Sequence, residues 1–379
     1  MKKIYFDIAA TTPVDPKVAT LMSHVMTQTF GNPSSIHKFG QESHSVIERG
    51  RLQLATALSC EPGEIIFTGG GSESNNLVLQ GILNSGDHII TSTYEHPAIL
   101  NVVEALQIKG LETTLINPTK NGVIDCNEII NAIQPNTKLI SIMAVNNELG
   151  TINPIAQLSE IAVENSILFH TDAVQMFGKL PMDLSEIHID FMSISAHKLY
   201  GPKGVGALYI RQGNILPAIL HGGGQENDLR PGTENIPGIA GFGLAAELAT
   251  QNIAPNIKNI LELETRFLTG LAENGIEFTR HCNAHIPGLM NISFHDVKSK
   301  LLLMNLDMEG VAISAGSACS SGTLKASKVL LQMGVSEKLA SESVRISLGK
   351  LHAKEDVDYT IQKISELIPR LQNSAEISA

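Results

Sequence analysis

Short apolar runs alternate along this chain with longer segments in which apolar residues recur at helical spacing. The runs are apolar at consecutive positions, which is typical of parallel strands that are buried on both faces. Strands and helices that alternate in this way predict an α/β fold, with a mostly parallel sheet sandwiched by helices. The predicted strands are residues 64–68, 88–92, 139–145, 167–170, 191–195 and 205–210, and the predicted helices are residues 41–58, 72–84, 97–108, 127–134 and 155–164.

The pattern changes near residue 255, where Asn252, Pro255 and Asn256 separate two helical segments. Residues 344–348 alternate apolar and polar positions, which predicts a half-exposed antiparallel strand. We therefore expect a large domain of residues 15–255 and a smaller α+β domain that combines residues 1–14 with 256–379. The elements predicted in the smaller domain are helices at roughly 257–273 and 355–371 and strands near 289–294 and 344–347.

Composition excludes several classes of function. The 379 residues carry a formal net charge of −11 and include no tryptophan, which argues against direct binding of nucleic acid. No signal peptide and no apolar run long enough to span a bilayer is visible, so we expect a cytoplasmic protein without membrane contact. The four cysteines lie far apart with no C-x-x-C pair, which fits a reducing compartment better than a disulfide framework or a metal site.

The most informative segment is residues 193–204, in which Lys198 follows an apolar strand and precedes a Gly/Pro turn. A lysine at a strand end is ordinarily a solvated charge. A partly desolvated lysine amine can instead form a Schiff base with a substrate carbonyl or with pyridoxal phosphate. Lys203 stands close by, but its position between Pro202 and Gly204 is better suited to solvent, so Lys198 is the preferred candidate.

Two further segments have the composition of a cofactor site. Residues 68–72 contain three glycines between a predicted strand and a predicted helix, an arrangement that favours phosphate binding, although a plain turn capped by Ser72 is an alternative. Asp172 and Gln175 follow another predicted strand. A carboxylate there could keep a pyridine nitrogen protonated, while the simpler interpretation is that Asp172 caps the next helix.

Four other side chains are candidates for chemistry. His96 follows a predicted strand and could stack on a ring or carry a proton, but an ordinary loop histidine would look the same. Asn147 lies among turn-forming residues. Cys319 lies among Ser, Ala and Gly, which suits an exposed, mobile nucleophile as well as an incidental cysteine. Arg345 could bind a carboxylate through two hydrogen bonds or form a surface salt bridge.

These motifs, in this order, closely resemble those of the NifS/IscS-type cysteine desulfurases, which are class V, fold-type I pyridoxal-phosphate enzymes. Each motif alone is weak, but the ordered set is specific and spans nearly the whole chain. The motifs are residues 7–13, 31–35, 95–96, 145–148, 170–175, 195–204, 221–224, 230–235 and 314–319.

The resemblance implies a role for most of the candidate residues. Lys198 would bind the cofactor aldehyde, Asp172 would pair with the pyridine nitrogen, and Gln175 would bond the ring oxygen. His96 would stack on the ring. The resemblance also implies that the chain forms a homodimer. The remaining cofactor contacts would come from Gly71, Ser72, Asn147, Ser195, Ala196, His197 and, from the other subunit of the homodimer, Thr233.

The resemblance also implies the reaction. L-cysteine would be converted to L-alanine while Cys319, on a mobile loop of about residues 314–326, receives the sulfur as a persulfide. Arg345, Asn32 and Asn147 would bind the substrate. An iron–sulfur scaffold or a tRNA-thiolation relay would take the sulfur, so that Cys319 could transiently contact iron. The alternatives are a selenocysteine lyase, another aminotransferase-like enzyme, or a non-catalytic sulfur-carrier or assembly subunit.

Overall fold

A computed structural model describes residues 2–282, 284–316 and 326–376 of the chain. Its strands fall into one large sheet and two small ones. The strands are β1 (Ile4–Tyr5), β2 (Ile65–Thr68), β3 (His88–Ser92), β4 (Glu112–Ile116), β5 (Thr137–Ser141), β6 (Leu168–Asp172), β7 (Phe191–Ser195), β8 (Gly206–Ile210), β9 (Phe278–Arg280), β10 (Leu289–Phe294), β11 (Val311–Ala312) and β12 (Ser343–Ser347).

The helices occupy the segments between these strands. They are α1 (Pro16–Gln28), α2 (Lys38–Leu58), α3 (Gly71–Ile82), α4 (Pro97–Gln107), α5 (Cys126–Ala132), α6 (Ile155–Glu164), α7 (Ile236–Thr250), α8 (Ile253–Glu273), α9 (Ser299–Met308), α10 (Lys328–Gln332), α11 (Glu337–Ser341) and α12 (Lys354–Glu376), with short 3₁₀ turns at Pro62–Glu64 and Ala196–Lys198.

The large sheet has seven strands in the order β2-β8-β7-β6-β5-β3-β4. Strand β8 pairs antiparallel with both β2 and β7, and the remaining pairs are parallel. The predicted α/β fold with a mostly parallel sheet is therefore confirmed. The expected strand at 139–145 is shorter, because β5 ends at Ser141 and Val145 forms only an isolated bridge with Ile152.

Both faces of this sheet are covered, which explains why its strands are apolar at consecutive positions. Ile89 packs into one hydrophobic cluster and Ile90 into another, since successive side chains of a strand point to opposite faces. Helices α3 and α4 contribute to the first cluster, whereas α1, α2, α6 and α7 contribute to the second. Because the parallel strands run in the same direction, they end together at one edge of the sheet, where a ligand site is expected.

A separate hydrophobic cluster lies around the antiparallel sheet β12-β10-β9. Phe267 of α8, Phe294 of β10 and Ile364 of α12 are among its fully buried members. Strand β1 pairs with β11, so the N-terminal segment joins this part of the molecule. The division of the chain into two domains stays a prediction.

The start of α8 and the exposure of β12 both differ from the predictions. Helix α8 begins at Ile253, and Pro255 lies in its first turn, where a missing N–H costs little. All five residues of β12 are buried, so the prediction of a half-exposed strand is wrong. The polar positions are accommodated by hydrogen bonds, such as that from the Ala9 N–H to the Ser347 hydroxyl at 2.9 Å.

Candidate active site

A pocket of about 440 Å³ lies at the carboxyl ends of the parallel strands, where the large sheet meets β12. This size is ordinary for a cofactor or substrate pocket. Most of the predicted site residues line it. They are Gly71, Ser72, His96, Asn147, Asp172, Gln175, Ser195, His197, Lys198 and Arg345.

Lys198 lies in the 3₁₀ turn that follows β7, and its amine points to the N-terminal segment. Nζ donates hydrogen bonds to the carbonyl oxygens of Ala9 at 2.6 Å and Ala10 at 2.8 Å. Burial, with the positive charge of Arg345, lowers the pKa of Lys198 to about 8. Roughly a tenth of the amine is therefore uncharged at neutral pH, a far larger share than for a lysine with its ordinary pKa, as a nucleophilic lysine requires.

Lys203, the other lysine that the sequence left open, lies outside the pocket lining. It is exposed, and its Nζ lies 3.3 Å from the Thr12 carbonyl oxygen. Of these two lysines, only Lys198 is positioned to meet a ligand in the pocket.

Asp172 ends β6 and is held by two hydrogen bonds. The Asn75 amide donates to its Oδ2 at 2.8 Å, and the Val174 N–H donates to its Oδ1 at 3.0 Å. Both Asn75 and Asp172 are buried, so the carboxylate is fixed in direction. It can face a cationic ring nitrogen across the pocket.

The start of α3 forms a cradle beside the pocket. Gly70 has a φ of +148°, and a Cβ atom on Gly71 would lie 2.6 Å from Val174 Cγ2, so both glycines permit a close approach. The first N–H groups of a helix lack partners within the helix, and together with the Ser72 and Ser195 hydroxyls they suit an anion. The structure makes Gly70, rather than Ser72, the residue before the first helical turn.

His197 and His96 complete the polar lining on either side of this cradle. Burial, with the charges of Lys198, Lys203 and Lys179, lowers the pKa of His197 to about 4, and its Nδ1 contacts the Thr11 hydroxyl at 3.0 Å. Burial also lowers the pKa of His96. His96 Nδ1 accepts from the Ala98 N–H at 3.1 Å at the start of α4, which leaves Nε2 as the nitrogen that carries or takes a proton.

Arg345 reaches the pocket from β12 and is buried. Its Nη2 donates to Asp7 Oδ1 at 2.7 Å, and its Nη1 donates to the Asn147 carbonyl oxygen at 2.8 Å. Its Nε is buried, and the part of the chain that the structure describes supplies no partner for it. The guanidinium group is therefore fixed in place, and the N–H groups that these two bonds leave unused remain for a ligand carboxylate in the pocket.

Three of the predicted residues that the structure describes are not brought into the pocket. Asn32 is exposed, and its side chain accepts a hydrogen bond from the Ser34 N–H at 2.9 Å. Thr233 is also exposed, while Ala196 is fully buried in the turn before Lys198. Cys319 lies outside the described residues. The roles of these four residues stay predictions.

Two pocket residues were missed as functional residues by the sequence analysis. Asp7 was visible only as part of a motif, and its ion pair with Arg345 joins positions 338 residues apart. Asn75 lies one helical turn after the glycines, and nothing in the sequence indicates that it contacts Asp172. The only signal in the sequence was that Asn75 is a polar residue at a position on the buried face of α3.

Two features are absent from the residues that the structure describes. Among them, no group of three or more His, Cys, Asp or Glu side chains could hold a metal ion. None of the helices in the described ranges combines the length and apolar character that a membrane crossing requires.

Comparisons with known proteins define the class. The model of the class-V aminotransferase family matches residues 4–360. A cysteine desulfurase IscS of Dictyoglomus turgidum is 43% identical over 98% of this chain and 96% of its own length. A cysteine desulfurase of Rattus norvegicus is 40% identical over 100% of this chain and 85% of its own length.

Solved structures agree with this assignment. A NifS-like protein superposes with a TM-score of 0.92 at 35% identity, covering 98% of this chain and all of the other. The structure of SspA in complex with cysteine gives a TM-score of 0.81 at 36% identity, covering 93% of this chain and all of the other. The chain belongs to the class-V aminotransferase family, and the predicted resemblance is confirmed.

Proposed function

We propose that this protein is a pyridoxal 5′-phosphate-dependent cysteine desulfurase, which converts L-cysteine to L-alanine and transfers the sulfur to Cys319. The observation that carries the proposal is the pocket that combines Lys198, Asp172 and Arg345. Relatives named cysteine desulfurase cover nearly the whole chain, and the similar SspA structure is in complex with cysteine.

The residues of the pocket fit the cofactor. The glycine cradle with Ser72, Ser195 and His197 suits a phosphate group, and Asp172 suits a protonated pyridine nitrogen. The uncharged form of Lys198 suits an aldehyde, and the Gln175 amide suits the ring oxygen. When bound, pyridoxal phosphate supplies an electron sink for the negative charge that develops when a Cα–H bond of the amino acid breaks.

Residues of the chain itself would bind the substrate and transfer the protons. Arg345 would bind the substrate carboxylate through its remaining N–H groups, with Asn147 beside it and Asn32 as a further predicted contact. Lys198 would take the α-proton, because its lowered pKa leaves an uncharged amine near neutral pH. His96, whose Nε2 is not used by the helix cap, can hold a second proton in the pocket.

The transfer of sulfur balances without an external oxidant or reductant. The substrate C–S bond breaks, a bond forms between the departing sulfur and the Cys319 sulfur, and the carbon takes a proton to give alanine. Cys319 would react as the thiolate, which is the nucleophilic form. We therefore place the activity in a reducing compartment such as the cytoplasm, where the thiol persists.

We propose further that the chain acts as a homodimer in which Thr233 contacts the phosphate bound by the other subunit. Thr233 is exposed and lies outside the pocket of its own chain. Its segment is tied to the glycine cradle, since Arg230 pairs with Glu73 at 3.0 Å and Glu73 accepts from the Gly69 N–H at 2.7 Å. An iron–sulfur scaffold or sulfur-relay protein would receive the sulfur.

The test compares Cys319→Ala with Cys60→Ala, after cofactor loading and incubation with L-cysteine. Burial raises the pKa of the Cys60 thiol to about 12, so that cysteine is a chemically inert control. Cys319→Ala should retain the bound cofactor but lower alanine formation by roughly three orders of magnitude. Protein-bound persulfide should disappear in this variant alone. An unchanged persulfide yield in Cys319→Ala would contradict the assignment of the sulfur acceptor.

A further inference from the structure

Lys179 is a half-buried residue for which the proposed reaction has no use. It lies in the irregular turn after β6, four residues beyond Gln175, and it is absent from the lining of the active-site pocket. Burial, followed by the positive charges of Lys198 and Arg345, lowers the pKa of Lys179 to about 7. Burying an amine near two other cations is unfavourable, so its position calls for a specific contact.

That contact is with the cofactor pocket. Lys179 Nζ donates to Gln175 Oε1 at 2.8 Å, and Gln175 Nε2 donates to the Ala9 carbonyl oxygen at 2.8 Å. The same carbonyl oxygen accepts the 2.6 Å hydrogen bond from Lys198 Nζ. A chain of hydrogen bonds therefore connects Lys179, through Gln175 and Ala9, to the lysine that would hold the cofactor.

The two neighbours of Gln175 determine which way its amide points. The Lys179 amine carries N–H donors in both of its protonation states, and a carbonyl oxygen can only accept. The amide oxygen must therefore face Lys179, and the amide nitrogen must face Ala9. An amide nitrogen carries two N–H groups, so the second one remains available to a ligand in the pocket that Gln175 lines.

We propose that Lys179 is a positioning residue of the cofactor site, which fixes the Gln175 amide so that its N–H faces the ring oxygen of the cofactor. The inference rests on the proposed function, because it requires pyridoxal phosphate in this pocket. Without the Lys179 donor only the Ala9 carbonyl oxygen orients the amide, so the amide is held less firmly and presents its oxygen to the electron-rich ring oxygen more often.

The consequence is measurable in the bound cofactor itself. An N–H donor stabilises the deprotonated ring oxygen and so keeps the pH midpoint of the cofactor's visible absorbance low. Losing that donor raises the midpoint and weakens cofactor binding. Neither readout depends on turnover.

The experiment is a double-mutant cycle with Lys179→Met, Gln175→Ala and the double variant, each loaded with pyridoxal phosphate. In the chain with Gln175 present, Lys179→Met should raise the absorbance midpoint by roughly half a pH unit to one unit. Its cofactor dissociation constant should rise about threefold to tenfold. In the Gln175→Ala background the same substitution should change neither quantity by more than about a third of these amounts.

Lys179→Gln provides a second variant that can still donate to Gln175, and it should give at most about half of the shift of Lys179→Met. Equal shifts with and without Gln175, no shift at all, or a full shift in Lys179→Gln would each overturn the inference while leaving the proposed function standing. A wild-type protein that binds no pyridoxal phosphate would overturn both.

Discussion

The two sides of the pocket are built differently. On one side Asp172, Ser195 and Lys198 follow adjacent strands of one sheet, whose hydrogen bonding fixes their relative positions. On the other side Arg345 is held by Asp7 and by the Asn147 carbonyl oxygen, from segments remote in sequence. The first side suits the cofactor and the second suits the substrate carboxylate.

This difference indicates that cofactor binding and substrate binding should respond separately to substitutions. A cofactor side supported by the main sheet should tolerate changes on the opposite side. The two sides are nevertheless coupled electrostatically, because Arg345 lowers the pKa of Lys198 while Asp172 and Asp7 raise it. A substitution on one side should therefore leave ligand binding on the other side almost unchanged, whereas it should still shift the pKa of Lys198.

The largest effect expected on this comparison of the two sides comes from Arg345→Lys, which keeps the charge but removes the planar group that contacts Asp7 and Asn147 together. We expect KM for L-cysteine to rise by roughly tenfold to a hundredfold, because a charged hydrogen bond to the carboxylate is lost. Cofactor affinity, measured by absorbance titration, should stay within about twofold.

Arg266→Lys is the matched control, since Arg266 also forms a two-point pair with a carboxylate, that of Asp358, but is exposed and far from this pocket. It should leave both constants unchanged. If Arg345→Lys weakened the cofactor as strongly as the substrate, the proposed separation of the two sides would be wrong.

An effect of intermediate size is expected from pH. An amine attacks an aldehyde only when it is uncharged, and Lys198 with a pKa of about 8 becomes uncharged as the pH rises through that value. The rate at which cofactor-free protein captures pyridoxal phosphate, followed by stopped-flow absorbance, should increase about tenfold from pH 7 to pH 9 and then level off.

The same measurement on Arg345→Gln shows the coupling of the two sides. Removing the positive charge should move the midpoint of the rate profile to higher pH, toward the ordinary range of lysine. A midpoint that stayed fixed or fell would refute the electrostatic contribution of Arg345.

The smallest effect concerns Asn75, which orients Asp172 from the cofactor side. Asn75→Ala should lower kcat by about fivefold to tenfold through loss of one hydrogen bond to a carboxylate, while KM changes little. Gln80→Ala, at an exposed position of the same helix, is the control. A larger effect on KM than on kcat would assign Asn75 to substrate binding instead.

The sequence predicted the central sheet well, because burial on both faces leaves a clear apolar pattern. The strands at 88–92 and 191–195 and the helix at 155–164 have the predicted bounds. Strand β4 was missed because most of its residues are half-buried or exposed at the sheet edge. β12 was misjudged because its alternating polar residues are buried and hydrogen-bonded rather than exposed.

The site was predictable where residues follow strands and unpredictable where contacts cross the molecule. Lys198 and Asp172 could be placed together, because parallel strands end at one edge. The Asp7–Arg345 ion pair depends on tertiary packing that no local pattern records. The same holds for the position of Lys179 beside Gln175.

The central claim is that Lys198, rather than another lysine, holds the cofactor. The direct measurement is borohydride reduction of the loaded native protein, followed by peptide mass spectrometry. We predict a single pyridoxyl-phosphate adduct on Lys198. An adduct on Lys203 or Lys179, or no adduct in protein that retains the cofactor, would contradict the account.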